Sequence, residues 1–276
     1  MLVRATRFLR KMRGGAQSHL IEASDGHAYV VKFTNNPQHR RILVNEWLAS
    51  RFLAYLQVTA PPSAAVEFTP GILEEHPAIH LQLGSSRIPV PAGRHFGSRF
   101  PGDPEQLTVY DFLPDVLLGK VGNRRQFLGM LAFDKWMGNS DARQSVFFRA
   151  RVRAEGAPPE DEGRPAWVAS MIDHGFVFDG PNWTFADAPL AGLYHRPLYY
   201  EEVRSLDAFQ PWLERIERFP EHVVDEALRT MPDEWLEEDG NAATGLLERL
   251  LRRRSRVASL IEQLHRARPS LFPNWR

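Results

Sequence analysis

The residues best suited to chemistry lie in FDKWMGNSDARQSVFF, positions 133–148. Asn139, Ser140, Asp141, Arg143 and Gln144 crowd between an apolar run ending at Met137-Gly138 and a strand-like run over 145–149. Phosphoryl transfer needs a carboxylate that accepts a hydrogen bond from the attacking hydroxyl, and a carboxamide oxygen can bind a hard cation such as Mg²⁺. Asp141 and the nearby carboxamides supply both, although turn and capping chemistry uses the same residue types. Further on, the apolar run Trp167–Ile172 ends in Asp173-His174-Gly175. A carboxylate at the end of a rigid strand, with a Gly to turn the chain, suits metal coordination, and a plain turn is the alternative. His174 reads as a structural histidine behind such a site rather than a ligand.

Two earlier positions fit the same chemistry. Lys32 lies inside the apolar run YVVKF, where alternation points Val31 and Phe33 one way and Val30 and Lys32 the other. A Lys there either snorkels from an edge or is a buried cation with a task. Glu46, on the next helical pattern, can hold that ammonium toward phosphate oxygens, or simply lie on a solvated face. Gly14, Gly15, Ala16, Gln17 and Ser18 form a glycine-led turn between strand-like runs. Such a turn lets backbone N–H groups approach a polyphosphate, though most Gly-Gly turns are structural.

These residues need elements to hold them. Residues 19–23 and 28–33 read as strands joined by the hairpin signal Asp25-Gly26. Residues 40–56 carry Leu43, Trp47, Leu48, Phe52, Leu53 and Leu56 at helical spacing. Short extended segments follow to about residue 90. The Gly-, Pro- and Ser-rich stretch 84–105 reads as a long surface loop, a possible flap. Residues 107–112 suggest a strand and 124–137 a helix. Residues 153–165 read as an exposed linker between strands at 145–149 and 166–172. The rest is mostly helical, with one continuous pattern over 246–268. The expected fold is α+β and two-lobed: a β-rich N-lobe over residues 1–112 and a mainly helical C-lobe over 113–276.

Composition narrows the classes. The chain has 276 residues, 34 Lys+Arg against 34 Asp+Glu, and no Cys. That length allows one large domain or two lobes, each with its own core. Zero net charge argues against a broadly basic nucleic-acid binder. The lack of Cys excludes disulfides, thiolate metal sites and a Cys nucleophile. No apolar run approaches the roughly 20 residues that span a bilayer, and the basic start MLVRATRFLRKMRGG lacks the apolar stretch of a secretory signal. A soluble cytoplasmic protein is the expectation.

In order, the chain offers a glycine turn, a strand Lys, a helix Glu, an inter-lobe segment, a helix-Asp-carboxamide loop and a strand Asp-x-Gly. The two-lobed kinase plan needs that order. The segments GGAQSHLIEASDGHAYVVKF, NNPQHRRILVNEWLASRFLAYL, HFGSRFPGD, FDKWMGNSDARQSVFF and MIDHGFVF resemble the HipA-like protein kinases, bacterial Ser/Thr kinases best known from toxin–antitoxin modules, and in particular their shorter stand-alone branch. The resemblance implies an ATP- and Mg²⁺-dependent phosphotransferase. Lys32 would bind the ATP phosphates and pair with Glu46. Asp141 would be the catalytic Asp and Asp173 the principal Mg²⁺ ligand. Residues 15–18 would contact phosphate, and the segment containing Tyr110 and Phe112 would border the adenine.

The sequence departs from the family pattern at two places. The family's metal-binding Asn falls at position 146, which is Val here, so Gln144 is the substitute candidate, with Ser145 and Asn139 behind it. The Lys that often closes the Gly-x-Gln loop is His19. The leading expectation is a Ser/Thr protein kinase, with autophosphorylation at Ser18, Ser85, Ser86 or Ser98. A catalytically weak ATP-binding pseudokinase is one rival. A kinase for a small-molecule or lipid-headgroup hydroxyl is the other. The cluster Arg252, Arg253, Arg254 and Arg256 reads either as a solvated helix face or as a site for an acidic partner.

Overall fold

A computed structural model describes residues 1–152 and 163–276. Five strands close a small barrel in the order β1-β2-β3-β7-β4. They are β1 (Leu2–Lys11), β2 (His19–Ala23), β3 (Ala28–Lys32), β4 (Ser63–Phe68) and β7 (Gly93–Arg99). All contacts around the ring are antiparallel except the one that closes it, where Leu2, Val3 and Arg4 of β1 run parallel to Ala65, Val66 and Glu67 of β4. Alternation sorts the side chains as expected on β3. Val31 and Phe33 enter the barrel core with Ile21, Val66 and Phe68, while Lys32 faces out, toward the helix α1 (Arg41–Leu56). Two further elements decorate the barrel: helix α2 (Pro70–Glu75) and the hairpin of β5 (His80–Leu83) and β6 (Ser86–Pro89).

Helix α1 joins the barrel to the helical part. Leu43, Trp47, Leu48, Phe52, Leu53 and Leu56 are all fully buried, in a core that runs on through the helical part of the chain. Burial of each such side chain contributes about 1.5–3 kcal/mol. Trp47 donates to the carbonyl of Ala227 at 2.9 Å and packs edge-on against Trp235. The short α3 (Asp115–Leu118) leads to α4 (Gln126–Met137), whose residues from Phe127 onward are all buried. Gly138 ends α4 in the left-handed conformation at φ +62°, the role its position predicts. The hairpin of β8 (Gln144–Val152) and β9 (Arg164–Ile172) follows. Helices α5 (Trp212–Glu217), α6 (Glu221–Arg229), α7 (Gly240–Arg252) and α8 (Val257–Ala267) complete the chain.

Four expectations need correction. Residues 84–105 are not a loop or flap: they contain β6 and β7, and β7 is a central barrel strand between β3 and β4. Its loop-like composition has a packing cause, because a Cβ on Gly97 would lie 2.5 Å from Val66 and 3.2 Å from Tyr29. Residues 107–112 form no strand, and Tyr110 alone bridges to Phe147. The helical pattern over 246–268 is broken into α7 and α8 at residues 254–256. There Arg253 turns inward, donating to the carbonyls of Trp136 and Lys135 and pairing with Asp187, which also receives Arg256. Arg254 bonds the carbonyls of Phe219 and Leu251, so of the four arginines only Arg252 and Arg256 are exposed, and Arg256 is held by Asp187. The linker expected over 153–165 lies outside the described residues except for 163–165, where Arg164 and Pro165 already belong to β9.

Two barrel histidines are buried as neutral rings. His95 accepts from the Thr34 N–H at Nδ1 and meets the Pro91 carbonyl with Nε2, and burial brings it down to about 4. Burial, with the charge of Lys11 behind it, also brings His19 down to about 4. Unfolded imidazoles titrate near 6.5. Between those values the unfolded chain holds protons that the folded chain refuses. Stability is therefore full above about pH 6.5 and falls by about 1.4 kcal/mol per pH unit for each ring as pH drops toward 4. Urea unfolding at pH 7 and pH 5 checks this: the midpoint falls, and replacing both histidines by Gln reduces the pH slope.

Candidate active site

The β8–β9 ladder begins with Gln144 opposite Ile172, so the loop before β8 lies beside the turn after β9. Asp173, the first residue of that turn, has φ +59°. Asp tolerates the left-handed region better than most residues, yet such a conformation costs roughly 1–3 kcal/mol and collects at functional sites. The turn aims its carboxylate at the barrel. Lys32 Nζ lies 2.9 Å from Asp173 Oδ1 and makes a short contact with Glu46 of α1. The Gln144 amide nitrogen is 3.2 Å from the other Asp173 oxygen. Glu46 also accepts from the His174 N–H at 3.0 Å, so the helix carboxylate binds both the Lys and the turn.

Burial sets the electrostatics. Lys32 and Glu46 are nearly inaccessible, whereas the Asp173 side chain is 35% exposed and open on one side. Burial alone would lower the Lys32 pKa, but Glu46 and Asp173 outweigh it and hold the ammonium above its ordinary value. Burial pushes Asp173 up, and Lys32 followed by Arg143 more than offsets it, leaving the carboxyl below its usual range. His174 is buried and held well below the ordinary value by burial and Arg143. Its Nδ1 accepts from Arg143 at 3.0 Å, and the ring lies behind the site, as its sequence context suggests.

A second buried ion pair organises the loop, and it was missed from sequence. Arg143 and Asp134 are 1% and 0% exposed at their side chains, and Arg143 grips both Asp134 oxygens, at 2.9 and 2.5 Å. The same guanidinium donates to the carbonyls of Ile172 and Asp173 at 2.7 and 3.2 Å. Asn139 donates to Asp134 and accepts from the Asp141 N–H, and Gly192 donates to the Asp141 carbonyl. Buried Lys135 also donates to the carbonyls of Pro189 and Ala191, each at 2.7 Å, which straps that segment to α4. Asn45 of α1 is wholly buried, donating to the carbonyls of Gly175, Val177 and Gly180 and accepting from Trp183. A polar residue inside the apolar face of α1, and a lone Asp within buried α4, were the available signals.

The structure thus brings Lys32, Glu46, Asp173 and Gln144 into direct contact. Asp141 is exposed on the adjoining loop, with its backbone pinned, and no hydrogen bond or ion pair joins its carboxylate to those four. The glycine turn lies between β1 and β2, where Gly15 and Ala16 donate no internal backbone hydrogen bond. Gln17 is directed elsewhere: its amide exchanges two hydrogen bonds with the backbone of Gln82, at 2.7 and 2.6 Å. Ser18 is buried. Tyr110 and Phe112 are 43% and 63% exposed; Tyr110 is anchored to Phe147 on β8, and Arg196 lies over the Phe112 ring. Val146, at the position of the family's Asn, is buried in β8 opposite Ser170 and holds no ligand atom. Among the described residues no group of three or more His, Cys, Asp or Glu side chains could hold a metal.

The Arg143–Asp134 pair carries a stability prediction. Removing one partner of a buried pair costs about 3–5 kcal/mol. Asp134→Asn should lower unfolding free energy by that order in a urea titration, with loss of native-state protection at the 139–143 amides in hydrogen exchange.

Beyond geometry, the chain can be placed among known proteins. No curated protein matches it. Two crystal structures of the Golgi casein kinase, one with Mn/ADP bound, are similar over 96% of this chain and 73% of theirs, at 13% identity and TM-scores of 0.49 and 0.47. A family model described as HipA-like kinase matches residues 5–147, a span that runs from β1 through the Asp141 loop into β8 and covers more than half of the chain. With most of the barrel, the bridging helix and the Asp141 loop inside that match, the chain belongs to the HipA-like kinase family.

Proposed function

We propose that this kinase-family phosphotransferase uses ATP and Mg²⁺ to phosphorylate a Ser/Thr hydroxyl of a protein. The observation that carries the reading is the contact of Lys32 with both Glu46 and Asp173, three charges delivered by three separate elements. The unused N–H groups of Gly15 and Ala16 and the Lys32 ammonium would receive phosphate oxygens. Asp141 would accept a hydrogen bond from the acceptor hydroxyl and orient it for in-line attack. Tyr110 and Phe112 would border the adenine, with the lobes meeting near residues 112–113. No helix among the described residues is long and apolar enough to cross a membrane, and cytoplasmic placement is part of the same proposal.

The donor set fits a hard cation. Asp173 offers a partly open carboxylate and Gln144 a carboxamide beside it. Mg²⁺ commonly takes one or two carboxylates and completes its shell with phosphate oxygens and water. Gln144 would serve by presenting Oε1, a half-turn of its amide from the orientation seen here. The chemistry Mg²⁺ supplies in such a site is neutralisation of charge on the phosphate oxygens. Of the four serines considered for autophosphorylation, only Ser85 and Ser86 are exposed, at the β5–β6 tip that Gln17 grips.

A weak or silent kinase is the second reading, and buried Val146 favours it. Nucleotide binding by calorimetry without radiolabel transfer to any protein, itself included, would select that reading.

For the leading reading, Asp141→Asn and Asp173→Asn should each fold normally and reduce ³²P transfer by about 10²–10⁴-fold. Unchanged transfer in either variant would overturn the role given to that residue. Chelation with EDTA should abolish transfer and leave the circular dichroism spectrum unaltered.

A further inference from the structure

A cavity of 180 Å³ lies between the C-terminal half of α1 and the segment leading into β4. Ser50, Arg51, Ala60, Pro61, Pro62 and Ser63 line it. Arg51 follows Glu46 by five residues, which places it about 7.5 Å along the helix axis and rotated by about 140°.

Arg51 is half-buried and, like buried Lys135, has no carboxylate at ion-pair distance among the described residues. Arg143, Arg253 and Lys32 all meet carboxylates. Arg51 meets none: among the described residues its guanidinium has no ion pair, and its Nε is buried without a hydrogen-bond partner. The acid whose charge reaches it, Glu226 of α6, is paired with Arg229. Burial pulls the Arg51 pKa below its ordinary value, as expected for a cation without a close counter-ion. Its Cζ lies over the Trp47 ring, 4.1 Å from the centroid. With Nε shielded, the two terminal nitrogens of the guanidinium are the donors left for a planar or tetrahedral oxyanion. Ser50 donates to the Trp47 carbonyl at 2.9 Å and its oxygen lies 2.6 Å from that of Ser63, so a ligand would take the Ser63 O–H in exchange for its bond to Ser50.

We propose that the cavity between α1 and the 58–63 segment is a binding site for a phosphate group, held by the edge of Arg51 with Ser50 and Ser63. A bidentate guanidinium–phosphate contact matches the donor geometry, and the alanine and proline walls leave the anion no competing carboxylate. The proposal is independent of the phosphotransferase reading, because it uses no residue of the Lys32 cluster.

Titration of the intact protein with inorganic phosphate and with O-phosphoserine, at constant ionic strength, tests the site. The readout is the Arg51 Nε–H resonance, assigned by its loss in Arg51→Lys. A saturable shift of that signal is expected, with at least a tenfold weaker dissociation constant by calorimetry in Arg51→Gln. Tighter binding of inorganic phosphate would identify the ligand as a free anion. Tighter binding of O-phosphoserine would identify a phosphorylated side chain. An unmoved Nε–H resonance with both probes would overturn the proposal, whether or not Arg51→Gln folds. Equal affinity in wild type and a folded Arg51→Gln would overturn it as well.

Discussion

The contact of Lys32 with Glu46 and Asp173 is the constraint on which the rest of the molecule is arranged. An ammonium and a carboxylate with almost no exposure cannot stand apart, because each would retain the cost of losing water without a partner. Their pairing therefore fixes β3, α1 and the turn after β9 relative to one another. A one-residue slip of β3 would exchange its two faces, turning Lys32 inward and Val31 and Phe33 outward, so the pairing forbids it. Likewise α1 must present Glu46 to the Lys and to the His174 N–H at once. The strained backbone at Asp173 is held by the same network, through Arg143 on the carbonyls of residues 172 and 173.

Arg143 and Asp134 form a second constraint of the same kind, one layer deeper. The pair is fully buried and its remaining donors reach the carbonyls of the Asp173 turn. Asp134 also holds Asn139, which holds the Asp141 N–H. One carboxylate thus orients both the exposed Asp141 loop and the Asp173 turn. Gly192 is part of that packing: a Cβ there would lie 2.6 Å from the Asp134 Cβ, and its own N–H caps the Asp141 carbonyl. The exposed acid gains its fixed position from groups that never meet solvent.

Much of this was legible in the sequence where local pattern and chemistry agreed. Strand alternation placed Lys32 correctly, helical spacing gave the buried face of α1, and Gly138 marked the end of α4. The residues alone left Lys32 and Glu46 open to plainer readings, and their pairing was legible through the family resemblance. What could not be read depended on tertiary packing. Strand β7 looked like a loop because Gly97 is dictated by Val66 and Tyr29, which lie on other strands. The break between α7 and α8 was hidden because Arg253 resembles a solvated helix residue until its carbonyl partners at 135 and 136 are known. Asp134 was silent for the same reason. The tether of Gln17 to Gln82 joins residues far apart in the chain, and nothing near Gln17 announces it.

Helix α1 ties these layers together, and its geometry makes the coupling all-or-none. Around one helix, Arg41 reaches Asp239, Asn45 holds three carbonyls beyond Asp173, Glu46 holds Lys32, Trp47 packs on Trp235, and Arg51 faces the cavity behind. Successive residues are offset by about 100°, so a slip of one position would turn every one of these groups away from its partner. No partial rotation preserves a subset, because Asn45, Glu46 and Trp47 are adjacent in sequence and committed to different elements. Close-packed interfaces of this kind move between discrete arrangements rather than deforming smoothly. A group that grips α1 at one end therefore bears on the whole helix, including the carboxylate that pairs with Lys32.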